Sequence, residues 1–397
     1  MDFSFSQEQL MLQEATRRFL SHEYHFEARR ALQRTSAQGC HPDIWQGFAD
    51  LGLLSLLIPE QDGGIGGNGI DTLLVMGAIG ESLVLEPFLA SAVMASRLIA
   101  SLGSEEQRAG LLPALASGEQ IVVVAHDEPA TRFDRLAVTT RATQIDGGYR
   151  LQGHKCLVSH AACADHLLVT AVLTSASPQT SVTSTSTSTS TSTSTSTSTA
   201  ELAVFLVPRD APGLRLTSYS TVDSIAASEV RLEQVLVADA QRLSLTDASA
   251  QISQVLDIGL AAVCAEAVGA LDKLLAATVE YTKNRRQFGT AIGQFQALQH
   301  RMADMVLHIE QARSMSYLAA MSADDPDPEA RSLALSAAKV VIGQACRFVG
   351  QQAVQLHGGM GVTDELDVSH YFKRLMAIEL QFGSTDQHLE HYARQLS

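Results

Sequence analysis

Three short segments in the last part of the chain carry residues suited to holding a ligand or moving a proton. The first is Arg285-Arg286-Gln287-Phe288-Gly289, followed by Gln296. A guanidinium grips a pyrophosphate through a forked pair of charge-assisted hydrogen bonds. An arginine before a glycine is also ordinary helix capping. The second is Gln355-Leu356-His357-Gly358-Gly359-Met360-Gly361. Its glycines end a helix and let a backbone approach a ligand closely. His357 reads as a packed, hydrogen-bonded residue at a helix end rather than a base. The third is Leu380-Gln381-Phe382-Gly383-Ser384-Thr385. A phenyl ring cannot accept a proton, so if proton abstraction happens here a carboxylate must come from elsewhere. Glu379 and Asp386 flank it in sequence, and Glu266 is the further acid weighed. Each reads first as a structural or solvated acid, and Asp386 is the best candidate base of the three.

Residues 1–119 read as helical. Ser6 with Gln9 resembles a capping box ahead of Leu10, Leu12, Ala15, Phe19 and Leu20. Ile58-Pro59-Glu60-Gln61-Asp62-Gly63-Gly64 must be a loop. Residues 120–240 change to short runs of strand type: Ile121–Ala125, Leu167–Val172, Leu202–Val207 and Val230–Val237. Gly147-Gly148 marks a hairpin turn among them. Thr180 to Thr199 is mostly alternating Ser and Thr, has almost nothing apolar to bury, and reads as a solvated loop. Residues 241–397 are helical again, through Ile258–Glu280, Phe295–Leu318 and Arg331–His357. The expectation is an α+β chain: an N-terminal helical domain, a middle β-barrel or sandwich, and a C-terminal four-helix bundle.

A formal net charge of −15 argues against nucleic acid, whose phosphates would be repelled. It leaves room for an anionic substrate bound through a few local cations. The five cysteines (Cys40, Cys156, Cys163, Cys264, Cys346) form no CxxC pair, so neither a disulfide framework nor a metal site is expected. Met1-Asp2-Phe3-Ser4 lacks the features of a signal peptide. No uninterrupted apolar run approaches the ~20 residues that span a bilayer. Cytoplasmic location and no membrane association are the expectations.

The three segments, in this order and at these distances, resemble the C-terminal half of the acyl-CoA dehydrogenase family, and the helical–β–helical order extends the resemblance to nearly the whole chain. The resemblance implies FAD as cofactor and an acyl-CoA thioester as substrate. It implies removal of the substrate α-proton by a carboxylate while the flavin takes the β-hydride. In most such enzymes a Tyr-Glu-Gly-Thr run supplies the glutamate; here Gln381 and Phe382 stand in place of the Tyr and Glu. Other members place the glutamate on the first helix of the C-terminal bundle, which falls at about Gly259 here, with Leu260 beside it. Asp257, two residues away, faces another direction on a helix. Arg285, Phe288, Gln296, Gln355 and Gly359 match residues that touch the FAD of a neighbouring subunit. The parts that would hold this chain's own flavin depart from the pattern. Asp127-Glu128-Pro129-Ala130-Thr131-Arg132-Phe133-Asp134 stands for Thr-Glu-Pro-Gly-Ala-Gly-Ser-Asp. Leu157-Val158-Ser159-His160 stands for Trp-Ile-Thr-Asn, and Ser159 keeps one hydroxyl. The chain thus resembles the base-less small subunit of paired bacterial enzymes such as pimeloyl-CoA dehydrogenase. The implied partners are a Glu-bearing dehydrogenase subunit, in a heterotetramer with two copies of each, and an electron-transfer flavoprotein. A self-sufficient homotetramer with a relocated base, Asp386 the candidate, and a non-catalytic acyl-CoA-binding scaffold stand as alternatives.

Overall fold

The structure, a computed structural model, describes residues 5–35, 39–131, 134–174 and 201–396. The Ser/Thr run at 180–199 and the pair Arg132 and Phe133 lie outside them.

Helix α1 (Gln7–Glu23) begins at a capping box in which the Gln9 backbone N–H donates to Ser6 Oγ and the Ser6 N–H to Gln9 Oε1, both at 3.1 Å. Helices α2 (Phe26–Thr35), α3 (Pro42–Asp50) and α4 (Gly69–Ser82) follow. The breaker cluster between α3 and α4 forms a short turn, Glu60–Asp62. A π-helical segment, Phe88–Ala95, runs directly into α5 (Ser96–Leu102), and α6 (Glu105–Ala116) closes this helical layer.

Seven strands then form one curled sheet: β1 (Val122–Ala125), β2 (Arg141–Ile145), β3 (Gly148–Ser159), β4 (His166–Thr174), β5 (Leu202–Pro208), β6 (Leu214–Ser220) and β7 (Ala226–Ala238). The order is β1-β4-β2-β3-β7-β6, with β5 on the free edge of β4. Strands β1 and β2 share one side of β4, both parallel to it. The β2–β3 hairpin turns at Asp146-Gly147, where Gly147 takes φ 75°. Inward residues such as Leu151, Leu167, Phe205, Val230 and Leu232 are fully buried.

One ion pair lies inside that sheet. Lys155 Nζ is 2.7 Å from Glu128 Oε1 and also donates to His126 O and Thr170 Oγ1. The hydroxyls and N–H groups of Thr139 and Thr140 complete the carboxylate's shell. Burial pushes the Glu128 carboxyl up, but Lys155 and these hydroxyls outweigh it and hold it at about 2.

The C-terminal part opens with α7 (Ser249–Asn284), a two-stranded hairpin of β8 (Arg286–Gln287) and β9 (Thr290–Ala291), and α8 (Gln296–Ser322). Helices α9 (Pro328–His357), α10 (Asp367–Leu380) and α11 (Thr385–Leu396) complete it. Helices α7 to α10 form the four-helix bundle, and α11 lies on α9. Helix α7 is long and apolar enough to cross a membrane by composition, but 94 % of its most apolar window is buried within the protein, as befits a core helix.

Helix α7 joins the layers. Its backbone crosses α4 so closely that a Cβ on Gly269 would lie 1.9 Å from Gly77 O, and one on Gly80 2.0 Å from Glu266 O. One turn of the β6–β7 hairpin reaches the same helix through a buried knot. Arg374 on α10 grips both oxygens of Glu266 on α7, at 2.6 and 2.7 Å, and Asp223 of the hairpin at 2.7 Å. Burial alone would push this guanidinium's pKa down; the two carboxylates outweigh it and hold it above its usual value.

Breaking such a knot leaves uncompensated buried charge, which costs about 3–5 kcal/mol. Arg374→Ala should therefore lower the thermal unfolding temperature by several degrees and release the β6–β7 hairpin to faster amide exchange. Unfolding within a degree of wild type would show that the knot contributes little.

Candidate active site

The turn between α10 and α11 is held from three sides. Buried Lys339, on α9, donates to the carbonyls of Ile378 and Gln381, the latter at 2.6 Å. His388 Nε2 donates to Phe382 O at 2.9 Å, and its Nδ1 accepts from Ser336 Oγ at 3.1 Å. The clamp holds Phe382 in a left-handed conformation, φ 58°, with Gly383 at 109°. Burial pushes the His388 imidazole down to about 4, which fixes the neutral tautomer that this pattern needs.

The Phe382 ring lies against α7 at Gly259. A Cβ there would sit 2.8 Å from the ring's Cζ and 3.1 Å from Met94 Sδ. The two sequence positions at which a glutamate was expected are therefore one place in space, filled by an aromatic ring lying over a glycine.

The surrounding carboxylates are committed elsewhere. Asp257 is buried and accepts from Arg135 at 2.8 Å and Arg331 at 2.7 Å. Glu266 is locked by Arg374. Burial pushes the Glu379 carboxyl up, but Arg347 at 2.6 Å and the Thr385 N–H outweigh it and keep it below the usual range. Asp386 lies exposed in the first turn of α11.

The ligand-type residues lie on the outside of the bundle. Arg285 ends α7, and the β8–β9 hairpin presents Phe288 at its tip, 92 % exposed and at φ 52°. Among the described residues only Phe295 meets that ring in an aromatic contact, at 6.3 Å between centroids. Arg285, Gln296, Gln355 and Gly359 are exposed too. A Cβ on Gly359 would meet nothing within 4 Å, so this chain's own packing does not require glycine there. His357 is packed, stacked on Tyr281 at 4.2 Å with Nδ1 bonded to Ala353 O.

Ser159 ends β3 between two left-handed residues, Leu157 (φ 52°, 57 % exposed) and His160 (φ 61°, buried). His160 Nε2 donates to Leu85 O at 2.6 Å, and its Nδ1 has no partner among the described residues. Of the seven described non-glycine residues with positive φ, Leu157, His160, Phe288 and Phe382 fall in the segments singled out by sequence. Strain held in place by surrounding structure gathers at functional sites.

These residues fit FAD unevenly. The exposed arm and the open glycine fit a flavin carried by another chain. On the side of this chain's own sheet, Leu157 offers no aromatic plane, Glu128 is tied to Lys155, and Ser159 is the hydroxyl that remains. Sequence reasoning missed Lys339 and His388. A single lysine within the apolar run Leu333–Ile342 was the signal for the first; nothing marked the second.

His388, His160 and His126 are all buried with imidazoles pushed down by burial. Such a group binds its proton in the unfolded chain first, so stability falls as pH drops below 6.5, and for His388 the loss is complete near 4. His388→Gln should flatten that slope in a pH series of thermal melts. A slope unchanged from wild type would contradict the clamp.

The profile of the acyl-CoA dehydrogenase C-terminal domain matches residues 249–397, and that of the N-terminal domain residues 6–119. A probable acyl-CoA dehydrogenase, YngJ of Bacillus subtilis, is 29 % identical over all of both chains. The L-prolyl-[peptidyl-carrier protein] dehydrogenase of Pseudomonas fluorescens is 30 % identical over 89 % of each. Among solved structures, the ChsE4-ChsE5 complex from Mycobacterium tuberculosis superposes with a TM-score of 0.83 at 26 % identity, covering 100 % of this chain and 99 % of that one. With both domains matched and the fold shared end to end, the chain belongs to the acyl-CoA dehydrogenase family of FAD-dependent oxidoreductases.

Proposed function

We propose that this chain is the subunit of a two-component acyl-CoA dehydrogenase that lacks the catalytic glutamate and completes the FAD site of a Glu-bearing partner. One observation carries the reading. Around Phe382 every described carboxylate is tied to an arginine or exposed on the surface, while Arg285, Phe288, Gln296, Gln355 and Gly359 stand exposed with little to do in their own chain. The similarity to a chain of the ChsE4-ChsE5 complex supports the pairing.

In the complex, the partner's carboxylate would take the α-proton of the acyl-CoA, and bound FAD would supply the acceptor for the β-hydride. Arg285 would hold the pyrophosphate, Phe288 would pack against the cofactor, and Gln296 and Gln355 would donate to it. Gly359 would leave room for its approach. The product is a 2,3-enoyl-CoA, and the electrons leave to an electron-transfer flavoprotein. In this chain the Phe382 ring fills the space above Gly259 and contributes no proton transfer.

Three variants test this in the co-expressed complex. Gly359→Ala should leave the unfolding temperature of the lone chain unchanged yet lower flavin retention in the complex; equal retention would remove that residue from the site. Arg285→Ala should speed flavin loss at least about tenfold, the value of one charge-assisted contact. Asp386→Asn should leave turnover within about twofold, whereas loss of a general base costs roughly 100-fold or more. A loss of that size would restore the self-sufficient reading.

A further inference from the structure

Two of the chain's thiols meet across the boundary between the N-terminal helices and the sheet. Cys40 precedes α3, Cys163 lies in the turn from β3 to β4, and both are half-buried. The Cys40 thiol is hydrogen-bonded to the Cys163 thiol. Cys163 Sγ in turn donates to His160 O at 3.3 Å.

The backbones around them are held together independently. A Cβ on Gly39 would lie 2.4 Å from the Cβ of Ala226, and Ala226 O accepts from the His160 N–H at 2.8 Å. His41 is fixed by Leu32 O and Glu86, each at 3.1 Å. Gly39 and His41 on one side and Ala162 on the other line a single cavity of about 240 Å3, together with Ser218 and Tyr219 of β6. The cavity opens beside the pair, at the residues that flank Cys40 and precede Cys163 in the chain. The remaining thiols are placed differently: Cys264 and Cys346 are fully buried in the bundle, and Cys156 sits on β3.

We propose that Cys40 and Cys163 are a redox pair that closes to a disulfide on exposure to a hydroperoxide and ties the N-terminal helices to the sheet. Cys163 reacts first, because the neighbouring Cys163 side chain and burial push the Cys40 thiol up and keep it protonated. That sulfur attacks the peroxide, the O–O bond breaks, an alcohol or water leaves, and Cys163 becomes a sulfenic acid. The Cys40 sulfur then attacks the sulfenic sulfur, the S–O bond breaks, and the hydroxide leaves with the Cys40 proton as water. Two thiols are oxidised and one peroxide is reduced. A dithiol reductant reverses the step.

The test is thiol counting and peptide mapping on the full chain, treated while folded with a slight excess of hydrogen peroxide and then denatured. Titratable thiols should fall from the five of the sequence to three, return to five with dithiothreitol, and the non-reduced map should join the Cys40 peptide to the Cys163 peptide. The oxidised chain should unfold at a higher temperature than the reduced one. In Cys40→Ser the paired loss should vanish, and dimedone should trap a sulfenic acid at Cys163. Five surviving thiols, a bridge between other cysteines, or a bridge between chains would each overturn the proposal, and because the map is made on the unaltered protein it does not depend on any variant folding.

Discussion

Every layer of this protein is fastened to one helix. Helix α7 is buried on every side from Val255 to Leu271. The N-terminal helices meet it at α4, where glycines on both sides let the backbones nearly touch. The β6–β7 hairpin meets it through Arg374, which neutralises Glu266 and Asp223 together. A guanidinium so deeply buried is stable only because two carboxylates share it, and each of them comes from a different layer. The positions of the sheet and of α10 relative to α7 are therefore coupled, and whatever lies between them has its shape set by that coupling.

The Phe382 turn rests on the same helix. Lys339 and His388 hold the backbone, and the ring settles over Gly259. The pairing explains why one substitution is not enough to recover a base. A side chain at Gly259 would strike the ring, and a carboxylate placed at Phe382 would leave the departures at Leu157 and Glu128 in place. The same electrostatic economy that makes the fold rigid removes the other acids from chemistry. Asp257 and Glu266 each balance a buried arginine, and neither can move or accept a proton without unpairing that cation; Glu379 pairs with the more exposed Arg347.

Much of this was legible in the sequence, and the limits have physical causes. The long helices announce themselves by apolar periodicity, and four strands by β-branched runs. The edge strand β6, polar and largely exposed, and the short β2 do not, because neither alternates strongly enough. Arg285, Phe288, Gln296, Gln355 and Gly359 came together as a set only through the resemblance to the family, because arginine and glycine at a helix end are also ordinary capping. That Phe382 and Gly259 share one place was not, since contact between residues so far apart depends on how α7 and α10 cross. Nor could spacing show that Cys40 and Cys163 meet, or that Asp386 faces solvent while its neighbour Glu379 is buried against Arg347. Ion-pair partners are chosen by tertiary geometry, and a lone sequence lists only the charges.

The central claim is that this chain serves a flavin it does not hold. It is tested most directly by measuring FAD per chain, together with acyl-CoA-dependent reduction of an electron acceptor, for the protein purified alone and co-expressed with a Glu-bearing dehydrogenase subunit. The account predicts no flavin and no turnover alone, and about one FAD per pair with turnover in the complex. One FAD per chain with turnover by the lone protein would contradict it, and would mean that a carboxylate here paired or exposed does the work absent at Phe382.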